Sequence, residues 1–223
     1  GATGYSFPSG HTQNVFATMG APARYFKNNI ARVVLVLLMV LTAFSRMYLG
    51  VHTPLDVGVS IVVGLILMFA LYPLFRDAET NAGAIYLVFS GFVLVAAAFL
   101  VFVEFYDFPS NISPENIVEG TKNAYLIFFS AVALFISYHV ERKHINFKTE
   151  AVWWAQIIKA AVGLGIALGI KSFLKAPLLA IFGGHAVAHG IRYFAMIIFI
   201  CIVWPLTFKF FGRLGQKKES KTE

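Results

Sequence analysis

Two short stretches concentrate the groups that could carry out chemistry. The first is Gly4-Tyr5-Ser6-Phe7-Pro8-Ser9-Gly10-His11, and the second runs from Ser45-Arg46 through His52 to Asp56. Together they hold two imidazoles, a guanidinium, a carboxylate and a Ser-Gly turn. That set suits phosphoryl transfer without a metal. A cation and backbone amides can hold the oxyanions, one imidazole can attack phosphorus, and another can protonate the leaving oxygen.

The residues around His52 predict how it is held. In Thr53-Pro54-Leu55-Asp56, Thr is an N-cap, Pro occupies the favoured first helical position and Asp stands three residues past the cap, so a helix starts just after His52. From the first turn the Asp56 carboxylate can accept the Nδ1 proton of His52. Nε2 is then unprotonated and free to act as a nucleophile. The plainer reading is that Asp56 only closes a capping box, and the two roles are compatible. Pro8-Ser9-Gly10-His11 likewise reads as a tight turn feeding a helix. There Gly10 lets backbone amides approach a phosphate and the helix N-terminus favours negative charge, although such a turn taken alone is more often simple capping. Arg46 can clamp two phosphate oxygens; without the neighbouring histidine it would read as a snorkelling interfacial arginine.

The elements that position these groups are apolar. With 58% hydrophobic and 13% charged residues and a mean hydropathy of +0.73, the chain belongs to the multi-span membrane class and not to soluble domains. Seven hydrophobic segments, at about 11–26, 30–47, 55–75, 84–105, 122–140, 151–173 and 190–211, approach the ~20 residues that cross a bilayer, the first two being short. Only helices among open structures satisfy their own backbone in hydrocarbon, so the expected fold is an all-α polytopic membrane bundle. Residues 217–223 read as a disordered basic tail. A single cysteine, Cys201, rules out both a disulfide framework and a Cys-based metal site.

The net charge of +7 does not form a stripe, which argues against nucleic acid and for membrane topology. Alternating the links between two sides puts twelve of the eighteen Lys and Arg on one side and five on the other, with Lys159 inside a span. The positive-inside rule makes the richer side cytoplasmic and places both motif links on the outer face, as a shared site requires.

The strings PSGH at 8–11 and SRxxxxxHxxxD at 45–56 resemble the second and third signatures of the type-2 phosphatidic acid phosphatase superfamily, the integral-membrane lipid phosphate phosphatases. The resemblance covers roughly residues 4–75, the last three helices of a shared six-helix core. Its earlier signature, a Lys six residues before Arg-Pro, does not occur here. The chain opens at Gly1 without an initiator Met and is read as lacking the upstream helices. The expected organisation is a C-terminal half of the core over 1–75, a four-helix membrane extension over 76–216, and the tail. The resemblance implies a metal-independent reaction without a cofactor, in which His52 is the nucleophile, His11 the general acid, Asp56 the orienting carboxylate, and Ser9, Gly10 and Arg46 bind phosphate. The implied substrate is a lipid phosphate presented by the bilayer at the outer face of a plasma or inner membrane. Polyprenyl diphosphates, phosphatidate-like lipids and long-chain-base phosphates all fit. Competing readings are a transporter or structural protein that retains the motif, or a hexose phosphatase of the same superfamily. The related vanadate-dependent haloperoxidases are soluble, which conflicts with the apolar spans.

Other polar residues have simpler expectations. His185 and His189 have i, i+4 spacing that could hold a metal on a helix, but no carboxylate or cysteine lies nearby in sequence, and a glycine-rich interfacial link is the simpler reading. His139 and His144 flank a basic link and are expected to be solvated. Lys159 is expected to snorkel to the cytoplasmic surface. Trp153 and Trp154 suit an interfacial belt. The outer links at about 106–121 and 174–189 are expected to shape access to the site.

Overall fold

The computed structural model describes residues 7–77 and 80–214, so the expected tail lies outside the described residues. The described chain is all-α. In order, it forms α1 (Gly10–Tyr25), α2 (Asn29–Tyr48), α3 (Pro54–Arg76), α4 (Ala82–Phe105) and α5 (Pro114–Val140), followed by α6 (Trp153–Phe173), α7 (Lys175–Ile181), α8 (Val187–Ile198) and α9 (Phe208–Arg213). A π-helical turn over Glu141–Ile145 extends α5, and a π turn and a 3₁₀ turn over 199–207 join α8 to α9. Among the described residues six helices are long and apolar enough to cross a membrane, beginning with α2. The first predicted segment, α1, forms a helix of only 16 residues. At 1.5 Å per residue that is ~24 Å, short of a ~30 Å hydrocarbon layer.

The chain divides into two compact units. Unit 1 comprises Gly1–Ile85 with Ile112–Asn116, and unit 2 comprises Tyr86–Asn111 with Ile117–Glu223. In unit 1, α1 packs against both α2 and α3. The register with α3 is fixed by small residues. Ser9 meets Asp56 and Ser60; a Cβ on Gly64 would lie 3.0 Å from the Cβ of Phe16; one on Gly20 would lie 2.7 Å from the Met68 sulfur. Residue numbers rise together along both helices, so α1 and α3 run parallel. This brings Gly10-His11 and the 49–53 link to the same end of the unit. Ser60 and Gly64, four apart, are the close-approach positions that membrane helices use in place of a hydrophobic driving force. The outward faces remain apolar and exposed, as Val33, Leu37, Leu41, Val62 and Ile66 show.

In unit 2 a second seam of small residues, Ala155, Gly163 and Ala167, is buried on α6 together with Lys159. The Trp204 indole lies directly against Gly163, where a Cβ would come within 2.3 Å of Nε1. Lys159 does not reach solvent as expected. It is 6% exposed, donates to the Thr149 carbonyl at 3.1 Å and lies 4.2 Å over the Phe208 ring. The link before α6 supplies the oxygen that an interfacial water would otherwise provide. His139 and His144 are exposed, and His139 Nδ1 is 3.1 Å from the Tyr86 hydroxyl. Trp153 is exposed at the start of α6.

Candidate active site

The link between α2 and α3 is fixed at both ends. Gly50 has φ +67° and its N–H donates to Met47 O at 2.9 Å, while Val51 N–H donates to Arg46 O at 3.3 Å. This pair of bonds is a Schellman motif, which satisfies the last carbonyls of α2 and needs a residue without Cβ at the left-handed position. Two residues later α3 opens with the predicted capping box. Thr53 Oγ1 accepts from Asp56 N–H at 3.3 Å, and Asp56 Oδ2 accepts from Thr53 N–H at 2.8 Å.

His52 sits between these two caps. Its Nδ1 is 3.7 Å from Asp56 Oδ2, and the two side chains are 12% and 8% exposed. That nitrogen is buried and has no hydrogen-bond partner among the described residues. The Asp56 oxygen is therefore shared between the helix cap and the imidazole. It is bonded to the first and stands just outside bonding distance of the second.

The other motif is tied to this helix through backbone. Ser9 caps α1 in an extended conformation, and its N–H donates to Asp56 O at 3.3 Å. Ser60 Oγ lies 2.9 Å from both Ser9 O and Asp56 O, bridging the two helix starts. Thr12 donates to Ser9 Oγ at 3.0 Å, so the Ser9 proton is itself uncommitted. Ser9, Thr12 and Ser60 have no exposed surface. Gly10 and His11 are exposed, and among the described residues nothing lies within 4 Å of a Cβ built on Gly10. The first N–H groups of α1, which no Ser9 side-chain bond caps, stand beside this open space.

Arg46 lies in the last turn of α2, half-buried, with Nε 3.4 Å from Ser45 Oγ. It has no carboxylate partner among the described residues, so its guanidinium remains available to an oxyanion. Thr12 and Ser60 were not among the residues that the motif reading singled out. Their spacing was a usable signal: Thr12 is three residues from Ser9 and Ser60 four from Asp56, which sets each hydroxyl one helical turn below its partner. Gly4, Tyr5 and Ser6 of the first motif lie outside the described residues.

Residues 1–80 match the PAP2 superfamily, and residues 130–217 match the family described as PAP2 superfamily phosphatase, transmembrane extension. The chain belongs to the PAP2 superfamily. It is 34% identical over 77 residues to a lipid A 4'-phosphatase of Porphyromonas gingivalis. That stretch is 34% of this chain and 33% of the relative, so the chain spans about a third of the curated relative it matches. No solved structure matches. Both motifs of this PAP2 chain fall inside the first matched region, on unit 1.

His185 and His189 are not part of this PAP2 motif set. His185 precedes α8 and His189 lies within it, so their i, i+4 spacing does not fall on one helix. Among the described residues no three His, Cys, Asp or Glu side chains cluster closely enough to hold a metal ion.

Proposed function

We propose that this PAP2-superfamily protein is a membrane phosphatase that hydrolyses phosphate monoesters or diphosphates of lipids through a phosphohistidine. The observation that carries the reading is the direct bonding between the two motif helices, in which Ser9 N–H donates to the Asp56 carbonyl and Ser60 Oγ donates to the Ser9 carbonyl. Two strings more than thirty residues apart in sequence thus share one end of unit 1. Membership of the superfamily supports phosphatase chemistry, and the matched lipid A 4'-phosphatase supports a lipid-borne phosphate.

In this reading the Asp56 carboxylate accepts the Nδ1–H of His52, and the Nε2 lone pair attacks phosphorus in line. The P–N bond forms as the bond from phosphorus to the leaving oxygen breaks, and His11 gives that oxygen its proton. His11 then takes a proton from water as the water oxygen attacks phosphorus, the P–N bond breaks and phosphate leaves. Arg46, the Ser9 hydroxyl and the amides at Gly10 hold the equatorial oxygens while charge builds. The charge bias supports a head group bound at the outer interface, with its tail in lipid beside the apolar faces of α2 and α3.

The test is phosphate release by full-length protein from a lipid monophosphate in mixed micelles, compared with His52→Ala and with a soluble hexose phosphate. The expected result is turnover of the lipid only and none by His52→Ala. Turnover of the hexose phosphate at equal efficiency would refute the lipid assignment, and retained turnover in His52→Ala would refute the nucleophile.

A further inference from the structure

Unit 2 carries a second concentration of polar groups that the proposed reaction does not use. The end of α4, the first turns of α5 and the link between α7 and α8 enclose a cavity of about 330 Å³. Glu104, Thr121, Lys122, His185 and His189 line it. The carboxylates here are already engaged: Glu119 holds Lys122 Nζ with both oxygens at 2.9 Å, and Glu104 is hydrogen-bonded to Tyr125. His185 Nδ1 accepts the Val187 N–H at 3.2 Å, which puts the proton of the neutral ring on Nε2 and makes that nitrogen a donor.

The second observation is a cation without a counter-ion. Arg192, one turn along α8 from His189, is 7% exposed, makes no salt bridge among the described residues, and has a buried Nε without a hydrogen bond. Its guanidinium is 5.5 Å from the Tyr193 ring centroid. Arg192, Lys122 and Lys175 all act on His189 with positive charge, against Glu119 alone. A buried, uncompensated guanidinium in a membrane-spanning segment is unfavourable until an anion approaches it. A divalent cation fits the pattern poorly, since it would add to this charge and among the described residues no three ligating groups converge.

We propose that this cavity binds a phosphate-type oxyanion, with His185 and His189 donating to its oxygens and Arg192 and Lys175 balancing its charge while Lys122 stays paired with Glu119. It is built from residues of unit 2, none of them in the His52 motif, and does not depend on the reaction proposed there.

The experiment is equilibrium binding of radiolabelled inorganic phosphate to full-length protein in phosphatidylcholine nanodiscs. An Arg46→Ala/His52→Ala background removes the motif site from the measurement. One phosphate per chain is expected, with affinity lowered at least tenfold by His185→Gln/His189→Gln and by Arg192→Gln. Circular dichroism and gel filtration establish folding, and if Arg192→Gln fails them the histidine pair carries the result. Replacing a tenth of the phosphatidylcholine by phosphatidate separates the sources. Displacement of the label identifies a lipid head group as the preferred ligand, and retention of the label identifies free phosphate. Affinity within twofold of the parent in the histidine pair overturns the proposal. So does saturable Zn²⁺ binding that needs both histidines when neither phosphate nor phosphatidate binds.

Discussion

Replacing Asp56 by Asn separates the two tasks of one carboxylate. The amide oxygen can still accept the Thr53 N–H now bonded at 2.8 Å, so the start of α3 keeps its cap and loses only a charge–dipole contribution of about 0.5 kcal/mol. What disappears is the negative charge 3.7 Å from His52 Nδ1. At that distance and an effective dielectric near 20, a unit charge on the ring is stabilised by about 4.5 kcal/mol. The ring gains that charge only when Nε2 has bonded to phosphorus, so the loss falls on the barrier. At 1.36 kcal/mol per decade, it sets a ceiling of about three decades in turnover. The assay is phosphate release from a lipid monophosphate by full-length protein, with melting temperature measured alongside. Asp56→Asn should lower kcat by about a hundredfold to a thousandfold with little change in Tm. Thr53→Ala, which removes the other half of the box and leaves the charge, should cost about 1 kcal/mol of stability and keep kcat within a few-fold. If Asp56→Asn keeps kcat within threefold of wild type while Asp56→Ala lowers Tm and rate together, the carboxylate is only a cap and the reasoning fails.

Gly50→Ala forces a Cβ into the left-handed region at φ +67° and should destabilise the protein by about 1–2 kcal/mol, read as a lower Tm, while lowering kcat through displacement of His52. Gly64→Leu, which pushes against a Phe16 Cβ that even an alanine would approach to 3.0 Å, should cost about 1–3 kcal/mol and separate α1 from α3; an unchanged Tm would contradict the packing. A chelator should leave phosphate release intact in full-length protein, and loss restored by Mg²⁺ would replace the phosphohistidine scheme with a metal mechanism. In a Cys201→Ala background, a cysteine at Thr53 should react with an impermeant thiol reagent added outside intact cells and one at Lys148 should not; the reverse pattern would invert the orientation.

The local geometry around His52 was legible because it depends on neighbours in sequence. Thr53, Pro54 and Asp56 specify a helix start by chemistry confined to four residues, and the capping box has the predicted partners. The Schellman turn was equally local, but it went unread because a lone glycine in Leu49-Gly50-Val51 is unremarkable until its φ is known. The register of α1 against α3 was beyond pattern reading. It rests on three close approaches between residues about fifty apart, Ser9 to Asp56, Phe16 to Gly64 and Gly20 to Met68, and hydropathy treats those positions as interchangeable small or apolar residues. The same blindness affected Lys159. Its depth in the span was evident, yet its fate depends on a carbonyl ten residues earlier and a ring forty-nine residues later. For α1 the apolar run suggested a span, and the polar residues Thr12, Gln13 and Asn14 in a helix of 16 residues give it a different character.

That short helix has a mechanical consequence. α1 and α3 are pinned together at the motif end, and the register set by Phe16 against Gly64 and Gly20 against Met68 puts Tyr25 level with Pro73, so α1 ends about 4–5 Å before α3 does. Its last turn carries Arg24, whose guanidinium lies 4.8 Å over the Phe69 ring and 4.3 Å over the Tyr72 ring of α3. A charged terminus held at that depth feels the thickness of the surrounding lipid more sharply than a full-length span does. A thicker bilayer draws it toward the surface and tilts α1. Because the helix is stiff, the tilt is delivered as shear at its other end, on the bonds between Ser9, Ser60 and Asp56. Membrane thickness is thereby converted into strain on the pair of helix starts that bracket the two histidines.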